Sequence, residues 1–210
     1  DIRLNGVLIM LNMDNFLKEV DYALDILHKH SKSAYADKLL TNDEKKQSER
    51  VMRVNHMGEV CAQALYRGQA LTTDDVSTKE IILKMCKEER DHLEMCDTRL
   101  SELLGRTSYL NPVWYTSSFI LGAFVGKLTK DKSLGFIYET EEQVEKHLDE
   151  YSEKLPKKDK KSRDILLKIK KDETRHKKTA KGLGSENLSE QTKKLMSYSS
   201  KIMKNISYYL

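Results

Sequence analysis

One pattern occurs twice in this chain: a lone glutamate, and further on a glutamate and a histidine three positions apart. The lone residue precedes the pair by 30 positions for Glu59, Glu89 and His92, and by 32 positions for Glu141, Glu173 and His176. Residues three apart share one face of an α-helix, so each Glu/His pair can point at a common centre. Four-helix bundles that bind two iron or manganese ions use this composition. The pattern therefore predicts an all-α bundle around a two-metal centre.

Apolar residues at helical spacing surround the candidate ligands. The second pair shares its stripe with Leu166, Ile169, Ala180 and Leu183, and the first shares its stripe with Ile82, Met85, Cys96 and Leu103. The ligands thus interrupt core-facing seams, which argues against solvated charges in a chain that is 33% charged. Carboxylates that face a core repel one another and lose their hydration, and this is unfavourable unless cations compensate for it. Two divalent cations would cancel the charge of all four glutamates.

Helical phase also selects among neighbouring glutamates. Glu139, Glu141, Glu142 and Glu145 lie within seven positions, and only Glu141 shares the apolar stripe. Glu145 lies one turn further on, and we predict that it either supports a metal ligand by hydrogen bonding or binds the metal in its place. Glu88 is out of phase with its neighbouring seam, and we expect it to face solvent.

Composition favours one almost entirely helical domain. The chain has 210 residues with only 2 Pro and 9 Gly, and no stretch alternates apolar and polar residues as a strand would. The helices are expected at about 13–30, 44–72, 76–104, 132–155 and 159–182. Residues 1–12 are expected to be an upstream or added segment, because Met10 or Met13 would serve as a start. Residues 13–210 are expected to be a single domain.

Charge and cysteine usage narrow the class of protein. The net charge of +4 is mild and no basic stripe is present, so nucleic-acid binding is not expected. The three cysteines lack C-x-x-C spacing, which predicts free thiols in a reducing compartment. Since the amino-terminal apolar stretch is too short for a signal peptide, we expect that the protein is not secreted.

Two apolar segments suggest contact with a membrane surface. The connection between the two helical pairs contains the apolar run 112–128, which is too short and too polar to cross a bilayer. Residues 195–210 form a basic amphipathic stretch. Both could lie in the headgroup region of a membrane. The alternative, that they pack on the bundle or on another subunit, remains equally open.

Several motifs occur together in one order along the chain. They are Arg53-Val-Asn-His-Met-Gly-Glu59 with Tyr66-x-Gly-Gln69, then Glu89-Arg-Asp-His92, then Glu139-Thr-Glu-Glu-Gln-Val-Glu-Lys-His-Leu148, and finally Asp172-Glu-Thr-Arg-His176. In this combination they resemble the demethoxyubiquinone hydroxylases, and the resemblance covers roughly residues 14–210. It places the iron ligands of that family on the six residues chosen above. Two residues depart from the family. Met57 stands where the family usually has Ala, and Leu148 stands where some members have Tyr.

The resemblance implies a fold, a reaction and a location. The fold would be a ferritin-like four-helix bundle with additional N-terminal, crossover and C-terminal membrane-facing helices. The activity would be that of a di-iron monooxygenase, which uses two Fe²⁺ ions and O2 to hydroxylate the ring of demethoxyubiquinol, the penultimate type of step in ubiquinone biosynthesis. The alternatives are a ferritin-like ferroxidase or iron-binding protein and another di-iron oxidase. The protein would lie peripherally on the cytoplasmic face of the cell membrane or on the equivalent inner mitochondrial surface, as a homo-oligomer within a ubiquinone-biosynthesis complex.

Further residues are candidates for supporting roles. Asp91 and Asp172 are expected to hydrogen-bond the free ring N–H of a ligand histidine. Tyr66 could touch the substrate ring or simply pack in the core. His147 could hydrogen-bond within the site, and His56 could be a satisfied structural histidine.

The electron donor is left open by the sequence. No glycine-rich nucleotide-binding loop is present. Reduction would come from the quinol, from NADH that reaches the site directly, or from a partner reductase.

Overall fold

A computed structural model describes residues 2–28 and 35–210, with side chains from residue 13 onwards. Within these residues the regular structure is helical throughout, which confirms the all-α prediction. The helices are α1 Ile2–His28, α2 Asn42–Thr72, α3 Val76–Glu102, α4 Asn111–Gly126, α5 Lys130–Glu153, α6 Lys160–Gly182 and α7 Glu190–Tyr209.

The chain forms two compact units, residues 1–30 and 31–210. The first unit consists of α1, which begins earlier than predicted; residues 29 and 30 of the predicted helix lie outside the described residues, as do the side chains of residues 1–12. A single domain over 13–210 and an added segment over 1–12 stay predictions.

The second unit is a four-helix bundle with two more helices packed on it. α2 packs along α3 and α5 packs along α6, while contacts between α3 and α6 and between α2 and α5 close the bundle. Apolar residues of all four helices form the core at one end, among them Met52, Leu100, Leu148 and Leu166. α4 and α7 both lie against α2 and α5, the helices that carry the two lone glutamates.

Side-chain caps define where the bundle helices α2, α3 and α6 begin. Thr41 accepts a hydrogen bond from the backbone N–H of Glu44, whose side chain accepts from the Thr41 backbone, so α2 begins with a capping box. Asp75 caps α3 and Asp159 caps α6 in the same way through their carboxylates. These polar residues interrupt the apolar repeat, which is why the helix limits lie within about two residues of those predicted.

α4 approaches α2 so closely that glycine is required at the contact. A Cβ atom added to Gly122 would lie 2.1 Å from the backbone oxygen of Leu65, and one added to Gly68 would lie 2.2 Å from that of Phe119. The apolar crossover helix α4 therefore packs on α2 through direct contact between the two backbones.

α4 and α7 expose much apolar surface. Several large apolar side chains on these two helices are more than 40% exposed, and together we call them the α4/α7 surface. They are Val113, Ile120, Leu121, Phe124, Leu195, Tyr198, Ile202 and Tyr209. The indole N–H of Trp114 on α4 donates to Ser207 on α7 over 3.1 Å, so the two helices are neighbours. Across the described ranges, no helix has both the length and the apolar character needed to cross a membrane.

Candidate metal centre

The bundle brings the six candidate ligands together in its interior. α2 provides Glu59, α5 provides Glu141, and α3 and α6 each provide one Glu/His pair. None of the six is more than 5% exposed. Each lies on the core-facing stripe that the apolar repeat predicts, so the four helices need only pack face to face to assemble the cluster.

The ligand atoms fall into two overlapping groups among the described residues. One group is Glu59, Glu89, His92 and Glu173, and the other is Glu89, Glu141, Glu173 and His176. Within each group the candidate ligand atoms lie within 4.8 Å of one another. Glu89 and Glu173 belong to both groups, so these two carboxylates lie between two adjacent positions, each of which has its own histidine and its own further glutamate.

The Nδ1 atoms of the two histidines face Glu89 and Glu173, the glutamates that belong to both ligand groups. His92 Nδ1 lies 3.0 Å from Glu89 Oε2 and 3.4 Å from Glu173 Oε1. His176 Nδ1 lies 2.9 Å from Glu89 Oε1 and 3.2 Å from Glu173 Oε2. Both imidazoles therefore present the same atom to the carboxylate cluster, as two metal-binding rings would.

The Nε2 atom of each histidine forms a hydrogen bond with an acidic side chain on the opposite helix. His92 Nε2 lies 3.1 Å from Asp172 Oδ2, and His176 Nε2 lies 2.7 Å from Glu88 Oε2. Glu88 is thus half-buried at the α3/α6 contact, which corrects the expectation that it faces solvent. Asp91 is exposed and is not an acceptor for either histidine. One signal in the sequence could have found Glu88: in both copies an acid directly precedes the motif glutamate.

The other candidates occupy different places. Tyr66 is buried and donates its hydroxyl hydrogen bond to Glu141. Glu145 contacts Thr174 and Lys177 on α6 and lies outside both ligand groups.

Two further histidines lie away from the ligand groups. The ring of His147 packs against Tyr151, with 4.1 Å between centroids. His56 is buried and lies 3.7 Å from Asp97 Oδ1. All three cysteines are free, as predicted.

Burial and like charge govern the protonation of the cluster. Burial, together with the charges of neighbouring glutamates, raises the pKa of Glu59 and of Glu141 well above the usual carboxyl range. Burial opposes the charged form of the histidines, but hydrogen bonds to Glu173 and Glu89 outweigh it and raise the pKa of His92 to about 12 and that of His176 to about 11. In the metal-free protein, protons on these two glutamates and two histidines therefore offset the negative charge of the buried carboxylates.

The donor set fits a pair of divalent cations. Cations that replace these protons would satisfy the same carboxylates, and binding at such ligands releases protons. Carboxylate oxygens with one imidazole per position suit hard to borderline metals such as iron and manganese. The candidate ligand atoms of each group already lie within 4.8 Å of one another, so the buried cluster could hold such metals.

Comparison with known proteins identifies the family. The family model described as "Ubiquinone biosynthesis protein COQ7" matches residues 46–207, which include all six candidate ligands. The chain belongs to this family. The match confirms the resemblance drawn from the motifs.

Relatives of the chain within this family carry one name. A protein of Bordetella avium (strain 197N) is 43% identical over 204 residues, which cover 94% of this chain and 95% of that protein. A protein of Coxiella burnetii (strain RSA 493 / Nine Mile phase I) is 47% identical over 171 residues, or 81% of this chain and 80% of that protein. One of Xanthomonas euvesicatoria pv. vesicatoria (strain 85-10) is 42% identical over 205 residues, with 94% of each chain covered. Each is named 3-demethoxyubiquinol 3-hydroxylase.

Proposed function

We propose that this chain is a monooxygenase that hydroxylates the ring of a demethoxyubiquinol with O2, at a centre of two iron ions. The observation that carries the proposal is the pair of overlapping ligand groups that share Glu89 and Glu173. The activity is the one named for its relatives in the COQ7 family. Two bound Fe²⁺ ions would supply the coordination sites and the electrons that O2 activation requires.

The residues have distinct roles in this proposal. Glu59, Glu89, His92 and Glu173 would hold one ion, and Glu89, Glu141, Glu173 and His176 would hold the other. The hydrogen bond from Tyr66 would orient the carboxylate of Glu141. Because all six ligands are buried, the bundle keeps bulk water away from the reacting atoms.

The architecture supports entry of substrate from one side. The histidines belong to α3 and α6, whereas the lone glutamates belong to α2 and α5, which are covered by the apolar helices α4 and α7. A quinol with an isoprenoid tail is apolar over most of its length. We therefore place its approach on the side of α4 and α7.

Anaerobic reconstitution tests the activity. The metal-free protein would be loaded with Fe²⁺ without oxygen and then given O2 and demethoxyubiquinol, and the products would be analysed by mass spectrometry. We expect two iron ions per chain and one oxygen atom added to the quinol ring. Glu59→Ala and His176→Ala should lose iron and turnover together. Iron oxidation without a hydroxylated product would contradict the proposal and support a ferroxidase.

The same assay tests the reductant. Turnover would be compared with the quinol alone, with added NADH, and with NADH plus a flavin reductase. Stimulation by NADH alone would support direct delivery of electrons to the site. Stimulation that needs the reductase would support a partner protein instead.

We propose further that the α4/α7 surface rests on a membrane. Its side chains are apolar and well exposed, and α7 also carries Lys193, Lys194, Lys201 and Lys204, whose charge would favour anionic headgroups. The cytoplasmic or inner mitochondrial surface, the homo-oligomer and the biosynthetic complex stay predictions.

Flotation with anionic phospholipid vesicles tests this contact. Phe124 and Ile202 are 67% and 43% exposed, so Phe124→Asp with Ile202→Asp should leave the fold intact. We expect the double variant to lose vesicle binding. The control is Leu167→Asp, which charges a leucine that is 55% exposed on α6 and should bind as the wild type does. Unchanged flotation of the double variant would overturn the membrane contact.

A further inference from the structure

One guanidinium group joins both acids behind the histidines. Arg175 lies on α6, where its Nη1 is 2.7 Å from Asp172 Oδ1 and its Nη2 is 3.1 Å from Glu88 Oε2. Asp172 accepts from His92 through its other oxygen, and Glu88 accepts from His176. The five residues form a continuous chain of hydrogen bonds from one histidine to the other.

The network crosses between helices at both ends. Asp172 belongs to α6 and holds His92 of α3, whereas Glu88 belongs to α3 and holds His176 of α6. Each ring is therefore oriented by the helix that carries the other pair. Arg175 bridges the two acids and so couples the orientation of one ring to that of the other.

The expected sizes of two effects distinguish whether Arg175 mainly positions the histidines or mainly stabilises the fold. The side chain of Arg175 is 53% exposed, and ion pairs of such exposure contribute little to the stability of the fold. Acids that hydrogen-bond a metal-binding histidine, by contrast, commonly change metal affinity or activity about 10–100-fold when they are removed. The main effect of Arg175 should therefore appear in the metal site.

The two copies of the sequence pattern differ at this position. The residue before the histidine is Arg175 in the second copy and Asp91 in the first, and Asp91 is exposed. A single arginine thus serves two acids and two histidines. A change at either acid should disturb one metal position, whereas a change at Arg175 should disturb both.

We propose that Arg175 is a positioning residue that orients both histidines of the centre through Asp172 and Glu88. The proposal rests on the proposed di-metal function, because the rings matter as ligands. It assigns to one partly exposed arginine a joint control of both metal positions.

Metal titration of the whole protein tests the coupling. Binding of Mn²⁺ and of anaerobic Fe²⁺ would be measured for the wild type, Arg175→Met, Glu88→Ala and Asp172→Ala. We expect Arg175→Met to weaken both binding steps about 10-fold or more. Glu88→Ala and Asp172→Ala should each weaken mainly one. The matched control is Lys178→Met, which removes an exposed charge from the same helix and should leave both affinities unchanged.

A second measurement does not depend on metal. In the metal-free protein, ¹⁵N-detected imidazole spectra report the Nε2–H groups of both histidines, and Arg175→Met should speed solvent exchange at both while chemical denaturation stays nearly unchanged. Arg175→Lys should restore the signals only in part, because an ammonium lacks the planar fork that reaches two acids. Unchanged exchange and affinity in Arg175→Met would overturn the positioning role. Failure of the wild type to bind metal, with exchange altered as expected, would overturn the di-metal function and leave the hydrogen-bond role intact.

Discussion

At the scale of single residues, Tyr66 shows how a buried carboxylate is held in place. Its side chain is 1% exposed and donates to Glu141, a glutamate that burial keeps at an elevated pKa. A buried acceptor that loses its donor cannot turn to water for another. The tyrosine therefore orients a candidate ligand, whatever its further contact with substrate.

Tyr66→Phe should weaken the protein by removing this donor. We expect the free energy of unfolding of the metal-free protein to fall by about 1–3 kcal/mol, the usual cost of an unsatisfied buried group. Chemical denaturation measures it. Tyr198→Phe, at a tyrosine that is 66% exposed, is the control and should change nothing. Equal stability of both variants would contradict the role assigned to the hydroxyl.

His147 should make stability depend on pH. Burial, with Lys204 and Lys154 nearby, lowers the pKa of His147 to about 3, and its Nδ1 has no hydrogen-bond partner within the described part of the chain. The folded protein thus holds this histidine neutral, whereas the unfolded chain protonates it below about pH 6.5. Above that pH, His147 therefore causes no loss of unfolding free energy. Below it, the unfolding free energy decreases steadily as the pH falls toward 3.

Comparison with His147→Gln tests this dependence. Between pH 7 and pH 5 the wild type should lose up to about 2 kcal/mol more unfolding free energy than the variant. Denaturant melts at several pH values measure the difference. Parallel pH profiles of the two proteins would show that His147 titrates normally.

At the scale of elements, the contact between α2 and α4 depends on missing side chains. Gly68 and Gly122 each face the backbone of the other helix, and a Cβ at either position would lie within 2.2 Å of a carbonyl oxygen. Backbone atoms cannot move aside as the end of a flexible side chain can. The glycines therefore fix how closely the apolar crossover packs on a ligand helix.

Gly122→Ala should separate the two helices. We expect a loss of about 1–3 kcal/mol or more from overpacking, measured by thermal and chemical unfolding. Gly58→Ala is a matched control in α2, because a Cβ there meets no atom within 4 Å. It should stabilise the protein by about 0.5–1 kcal/mol, since alanine favours a helix interior. A stable Gly122→Ala variant would show that α4 can shift without cost.

At the scale of the whole bundle, Arg99 ties distant parts of the chain together. It is 1% exposed and pairs with Asp37 ahead of α2, with Glu102 on its own helix and with Asp159 at the start of α6. Asp159 is fully buried and also caps α6. The ion network thus joins three segments at the end of α3, away from the candidate metal ligands.

Arg99→Met should destabilise the bundle strongly. Loss of the cation leaves Asp159 buried without its partner, which typically costs about 3–5 kcal/mol. Denaturant unfolding measures the loss. Lys84→Met, an exposed lysine on the same helix, is the control and should lie within about 0.5 kcal/mol of the wild type. A small effect at Arg99 would mean that the acids remain hydrated.

The helices of the bundle and the inward face of each follow from local patterns along the chain. Candidate ligands such as Glu59 and His176 interrupt apolar stripes of single helices, and the helical repeat is a local property that can be read along the chain. Caps such as Asp75 likewise act within a few residues and mark where helices begin. The family followed from the same residues because their motifs occur in one order.

Which side chains meet across helices depends instead on how the helices pack against one another. Glu88 lies beside the predicted seam of its own helix, yet the angle at which α3 meets α6 brings it to His176, while Asp91 points into solvent. The place of Glu89 and Glu173 in both candidate ligand groups and the reach of Arg175 to two acids depend on the same packing. Such contacts join residues about 80–90 positions apart, and no periodicity within one helix encodes the rotation of its neighbour.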